Sequence, residues 1–212
     1  ICFHIALNSG LSGIGGEFGT NNTQNSNTLT KTGLGTLTVS ADSTFAGVLE
    51  LTGGTFSLNG GGKLLELAEL EAGPGATMTL DNTATNVTDR LGDANPITLS
   101  SGGTLRLIGN ASAGGQETTG PLTVVGLGNR IQVEASGGQI SSLLLEDLVA
   151  PYTSINTVLV RGTNIAAGSG TAGHVFLKRF NGDTGAPANG TLLPNVMAED
   201  LSNPGVFASA IY

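Results

Sequence analysis

The sequence predicts an all-β chain of stacked parallel strands, a β-solenoid, and three observations carry that expectation. A cassette Gly-Thr-apolar-x-apolar recurs as Gly35-Thr36-Leu37-Thr38-Val39, Gly54-Thr55-Phe56-Ser57-Leu58 and Gly103-Thr104-Leu105-Arg106-Leu107, with Thr77-Met78-Thr79-Leu80 as a shorter copy. Its threonines, at 36, 55, 77 and 104, are 19, 22 and 27 residues apart. One short alternating strand per loose period of about twenty residues is the signature of a solenoid. Glycine supplies 34 of 212 residues, more than twice the ordinary share of ~7%. Charged residues are only 11% while 39% are hydrophobic. Such a chain buries a core and meets solvent through hydroxyls and amides, unlike the charged, apolar-poor composition of disordered chains.

Residues 1–8 alternate strictly, with Ile1, Phe3, Ile5 and Leu7 on one face and Cys2, His4, Ala6 and Asn8 on the other. That pattern predicts a strand with one buried face. Gly10 to Gly19 and the polar stretch Asn21 to Thr28 tether it loosely, so residues 1–27 form a cap or an exchanged strand and 28–212 form the repeat array. Strands are expected at Thr36–Ser40, Val48–Leu51, Thr55–Leu58, Thr77–Leu80, Ile97–Leu99, Thr104–Ile108, Leu122–Val125, Ile131–Val133, Ile140–Leu145, Thr157–Val160 and Val175–Lys178. Most are short and β-branched, with Gly, Asn, Asp or Pro at their borders. The repeat core is expected from Leu37, Val39, Leu49, Leu51, Phe56, Leu58, Leu105 and Leu107. Lys63 to Glu71 (KLLELAELE) has helical propensity but is too short for a helix without packing; it is read as a rung with a bulge, the alternative being a helical turn. Pro151, Pro187, Pro194 and Pro204 and the irregular spacing after Arg161 predict a distorted last rung or a cap, because a solenoid must cover its terminal apolar faces.

Gly33-x-Gly35-Thr36-Leu37-Thr38-Val39-Ser40, then Thr44-Phe45-x-Gly47, then Gly54-Thr55-Phe56-x-Leu58 resembles the autotransporter-associated β-strand repeat. Ser43 stands where that repeat carries Asn, and Phe45 and Phe56 replace Tyr and Leu. Asp89-Arg90-Leu91-Gly92-Asp93, Ile97-Thr98-Leu99 and Gly103 to Asn110 resemble the long repeat-rich surface proteins of planctomycete-like and verrucomicrobial bacteria. The resemblance implies a right-handed parallel β-helix that is extracellular and acts as an adhesin, stalk or surface fibre. About eight rungs at ~4.8 Å each would give a rod of roughly 40 Å. No ladder of amphipathic ~10-residue strands, as in a membrane barrel, follows.

Chemistry is sparse. The chain has 8 basic and 16 acidic residues, net −8, and no basic stripe of the kind a nucleic-acid binder needs; Lys178-Arg179 is the nearest candidate. Membrane insertion is not expected, since no apolar run approaches ~20 residues. Cys2 is the sole cysteine, which excludes an intrachain disulfide. The start at Ile1, with no basic n-region, suggests a processed chain or a fragment. His4 and His174, the two histidines, lack companions at metal-ligand spacing, so neither a metal nor a cofactor is expected. Asp81, Asp89, Arg90 and Asp93 crowd one region. Such a cluster serves as acid and base in β-helical polysaccharide-active enzymes, or binds calcium, but a turn with a local ion pair is the simpler expectation. No Gly-x-Ser-x-Gly elbow occurs, Trp is absent and Tyr numbers two, which weighs against an aromatic lectin platform. Four Asn-x-Ser/Thr sequons, at Asn21, Asn86, Asn110 and Asn189, permit glycosylation in a suitable host. The sequence therefore predicts no catalytic residues and a structural, extracellular or cell-surface module that is the subunit of a fibre or sheath. Its expected partners are copies of itself, joined through Ile1, Phe3, Ile5 and Leu7 by exchange or head-to-tail stacking. An adhesin that binds a surface glycan is the alternative, and a β-helical polysaccharide-active enzyme stands third.

Overall fold

The computed structural model describes residues 3–6, 28–151, 155–165, 169–188, 192–205 and 207–211. In chain order its strands are β1 Phe3–Ala6, β2 Thr28–Thr32, β3 Thr36–Val39, β4 Asp42–Ser43, β5 Val48–Leu51, β6 Thr55–Leu58, β7 Lys63–Leu64, β8 Glu69–Ala72 and β9 Thr77–Asp81. There follow β10 Ile97–Ser100, β11 Thr104–Ile108, β12 Gly115–Val125, β13 Asn129–Glu134, β14 Ile140–Val149, β15 Val158–Gly162, β16 Ala172–Leu177, β17 Leu192–Asp200 and β18 Phe207–Ile211. The described residues contain no helix. Lys63 to Glu71 supplies β7 and the start of β8, joined by a turn at Leu65-Glu66, so stacking overrides its helical propensity.

The strands form two eight-stranded ladders, β1-β2-β5-β8-β10-β12-β14-β16 and β18-β17-β15-β13-β11-β9-β6-β3, and a two-stranded one, β4-β7. From β2 to β17, apart from β4 and β7, the chain places one strand in the first ladder and the next in the second, so each layer is a pair such as β2/β3, β5/β6 or β10/β11. Every pairing is parallel except β17 with β18, which is antiparallel. That last pairing also shifts register between Leu192 and Met197.

Register puts like on like. In the second ladder Leu37, Phe56, Met78, Leu105, Ile131 and Val160 lie in one column. Val39, Leu58, Leu80, Leu107 and Val133 form the next, two residues along. The first ladder stacks Leu29, Leu49, Leu70, Ile97, Leu122 and Leu148. All are buried, as is Leu51, and each contributes ~1.5–3 kcal/mol on leaving water. Alternation holds because successive side chains on a strand face opposite ways.

Two details explain the glycines and an inward lysine. The corners from first to second ladder, 33–35, 52–54, 101–103 and 126–128, are short and superposed. Gly54 has φ +66° and its missing Cβ would strike the carbonyls of Gly33 and Gly35 in the layer before, so only glycine fits there. At the same corner Lys31, in the inward column with Leu51, is fully buried. Its Nζ donates to the carbonyls of Thr32 at 2.9 Å, Gly33 at 2.9 Å and Gly53 at 3.0 Å, which satisfies an otherwise costly buried cation.

Phe56 is the largest apolar side chain in these columns and is 1% exposed. Phe56→Ala is expected to lower stability by about 3–5 kcal/mol, measured by chemical denaturation, whereas Thr36→Ala on the solvent side of β3 should stay within ~0.5 kcal/mol.

Candidate groove on the outer face of the second ladder

The solvent side of the second ladder carries its own columns. Thr36, Thr55, Thr77, Thr104 and Arg130 lie in register, one per strand. Thr38, Ser57, Thr79, Arg106, Gln132, Arg161 and Glu199 form the parallel column two residues along. The threonines come from the cassette's fixed Thr position and, at Thr38 and Thr79, from its x-position: the alternation that sends Leu and Phe inward sends Thr outward. Where the column changes from short hydroxyls to long arginines the face becomes a groove of about 510 Å³, with Thr55, Thr77, Thr79 and Thr104 at one end and Arg106, Arg130 and Arg161 at the other.

The arginines are held in order by carboxylates. Arg106 forms a two-pronged pair with Glu134, its Nη2 at 2.9 Å from Oε2. Gln132 Nε2 donates to the same Glu134, and Gln132 Oε1 accepts from Arg161 Nη1 at 3.3 Å. Arg161 Nε lies 2.6 Å from Glu199 Oε2, and Glu199 also accepts the Gly205 N–H at 2.8 Å. Glu134 is held below the usual carboxylate range because the Arg106 and Gln132 hydrogen bonds outweigh its burial. Among the described residues Arg130 has no carboxylate partner within salt-bridge distance. Thr79 Oγ1 lies in the groove floor, buried and without a protein hydrogen-bond partner. The sequence shows no basic stripe, yet three of its arginines share this face. Each sits on a separate strand, and only the register reveals them; the outward positions of the alternation are the signal that would have found them. Lys178 and Arg179 instead both pair with Glu146, at 2.8 and 3.4 Å.

The Asp81–Asp93 region is organised differently from a turn with a local ion pair. Arg90 is fully buried. Its Nη1 donates to Gly62 O at 2.7 Å and its Nη2 to the carbonyls of Gly60, Asp81 and Thr85, while Nε meets Asn82 Oδ1 at 2.8 Å. The guanidinium thus joins the turn that follows β6 to the segment that follows β9. Leu64 N–H donates to Arg90 O, extending the β4-β7 ladder, and the N–H groups of Arg90 and Leu91 then find no further strand. The buried carboxylate of Glu117 accepts both, at 3.0 and 2.8 Å, and ends that ladder. Asp89 stays in this neighbourhood, its carboxyl raised by burial and by Asp93; Asp81 accepts from Thr83.

The repeat residues Leu37, Val39, Leu49, Leu51, Phe56, Leu58, Leu105 and Leu107 are all buried. Of the four assembly residues, Ile1 and Leu7 lie outside the described residues; Phe3 and Ile5 belong to β1 and pair with Leu29 and Lys31 of β2. Among the described residues no group of three or more His, Cys, Asp and Glu is placed to hold a metal ion, and no helix is long and apolar enough to cross a membrane.

Burial pushes the Glu117 carboxyl up to about 7, against the opposing hydrogen bonds from Leu91 and Arg90. A carboxyl whose folded value lies above its unfolded one near 4.5 supports the fold fully below pH 4.5, and that support is lost as pH rises through 7. Between pH 5 and 8 the native chain should therefore lose up to about 3 kcal/mol relative to Glu117→Gln, which keeps an oxygen for both N–H groups. Denaturation midpoints of the two proteins measured across that range check this, and identical pH profiles would refute it. The chain matches no protein-family model, no curated protein and no solved structure.

Proposed function

We propose that the ladders are faces of one right-handed parallel β-helix, and that it serves as a structural module outside the cell or on its surface, the self-assembling subunit of a fibre or sheath. Right-handedness follows from the strong preference of parallel crossovers for that hand. The observation that carries the assembly reading is the way the ladders end. At one end β1 extends the first ladder one layer beyond β2/β3, with no counterpart in the second among the described residues. At the other end β18 extends the second ladder one layer beyond β16/β17, with no counterpart in the first among the described residues.

The two overhangs are complementary. Stacked head to tail, β1 of one copy and β18 of the preceding copy fill a single shared layer. Strands at the ends of ladders present unpaired N–H and C=O groups that template such joining, and a non-closing head-to-tail contact generates a filament. In the second ladder the register favours it, because Ser209, Ala208 and Phe207 pair with Met197, Ala198 and Glu199, the columns that begin at Thr36, Leu37 and Thr38. In this reading the chain carries no catalytic centre and its stiffness is its function.

Electron microscopy of the purified chain should show filaments with an eight-layer repeat of ~38 Å and a layer spacing of ~4.8 Å. A nine-layer repeat of ~43 Å would mean ends that abut without sharing a layer and would refute the joint. A monodisperse monomer at high concentration would overturn the fibre reading itself.

A further inference from the structure

We propose that the groove of the second ladder binds a pyranose chain that bears an occasional carboxylate, laid along the stacking axis with the carboxylate on Arg130. This goes beyond the fibre reading and does not depend on it, since the groove lies on the side of the rod and not at its ends. It gives the adhesin alternative a site.

Three features define the ligand. Charge is the first. Arg106 and Arg161 are paired with Glu134 and Glu199; Arg130 adds to the positive field around Glu199 but, among the described residues, has no carboxylate of its own within salt-bridge distance. Its planar fork suits a carboxylate, taken by two parallel hydrogen bonds. The second is spacing. Thr55, Thr77, Thr104 and Arg130 stand in one straight row, each ~4.8 Å from the next. Their hydroxyls both donate and accept, as sugar hydroxyls do, and a pyranose unit is about one such step long. Beside the row, Thr79 Oγ1 is a buried hydroxyl still lacking a partner. The third is size: about 510 Å³ sits within the ~300–1,000 Å³ range of small-ligand sites and accommodates a short oligosaccharide.

The same features disfavour a nucleic acid. A duplex presents one negative charge per ~1.7 Å of axis, against a groove whose three arginines already stand among the carboxylates of Glu134, Glu199 and Asp81 in a chain of net charge −8. A sugar that carries its charge sparsely meets Arg130 without meeting that repulsion.

The test is titration calorimetry on the full chain with a glucuronic-acid-capped xylo-oligosaccharide, the same oligosaccharide without the cap, and a single-stranded DNA oligonucleotide. The acidic sugar should bind about tenfold more tightly than the neutral one, the worth of one charge-assisted hydrogen-bonded pair. Arg130→Gln should erase that preference. Arg130 is exposed, so the substitution leaves the core closed, which circular dichroism verifies. Thr77→Val should weaken both sugars alike by several-fold. Arg179→Gln, outside the groove, should change neither. Equal affinity for both sugars, an unchanged preference in Arg130→Gln, or no binding of either sugar would overturn the proposal. So would tighter binding of the DNA with a steep salt dependence, which would assign the groove to a polyanion. None of these outcomes bears on filament formation.

Discussion

Parallel, in-register stacking is the constraint on which the rest of the structure depends. Each strand of a layer satisfies its backbone groups on the layer above and the layer below, so a residue's environment is set by the residue one strand away and not by its chain neighbours. Leu58 meets Leu80 and Leu80 meets Leu107; a layer displaced by one residue would send all of these to solvent and draw threonines inward. The apolar columns, the glycine corners and the outer hydroxyl rows all follow from that single condition.

Buried polar groups appear where the stacking condition cannot be met by another strand. Lys31 answers the carbonyls of the corners at 32–33 and 53. Arg90 answers four carbonyls where the chain between β9 and β10 departs from the layers, and Glu117 accepts the two N–H groups left at the end of the small ladder. Each is a charged side chain in a place where backbone would otherwise be orphaned. Removing one partner from such a site costs more than the pair contributes, and this gives these three residues a structural weight that their small number conceals.

This explains what was legible in the sequence. Cassette strands β3, β6, β9 and β11 are readable because their alternation is local, and the Lys63–Glu71 segment is resolved in favour of strand by its neighbours. Short β4 and β7 are not readable, since two residues carry no periodicity. Only the second half of β12 is apparent: its first half, from Gly115 to Gly120, is polar and becomes a strand by pairing with β14. Arg90 reads as a surface residue in a charged turn because its partners are carbonyls that have no letter in a sequence. The groove escapes for a related reason: Arg106, Arg130 and Arg161 are neighbours only in the direction perpendicular to the chain.

Glu117 also orders events in time. A chain made from its N-terminus stacks its first layers as they emerge, but the N–H groups of Arg90 and Leu91 have no acceptor until residue 117 has followed. The turns gathered by Arg90 therefore wait, half closed, on a residue one layer ahead. Limited proteolysis of chains ending before and after Glu117 would register this dependence as a step in protection of the 82–91 segment.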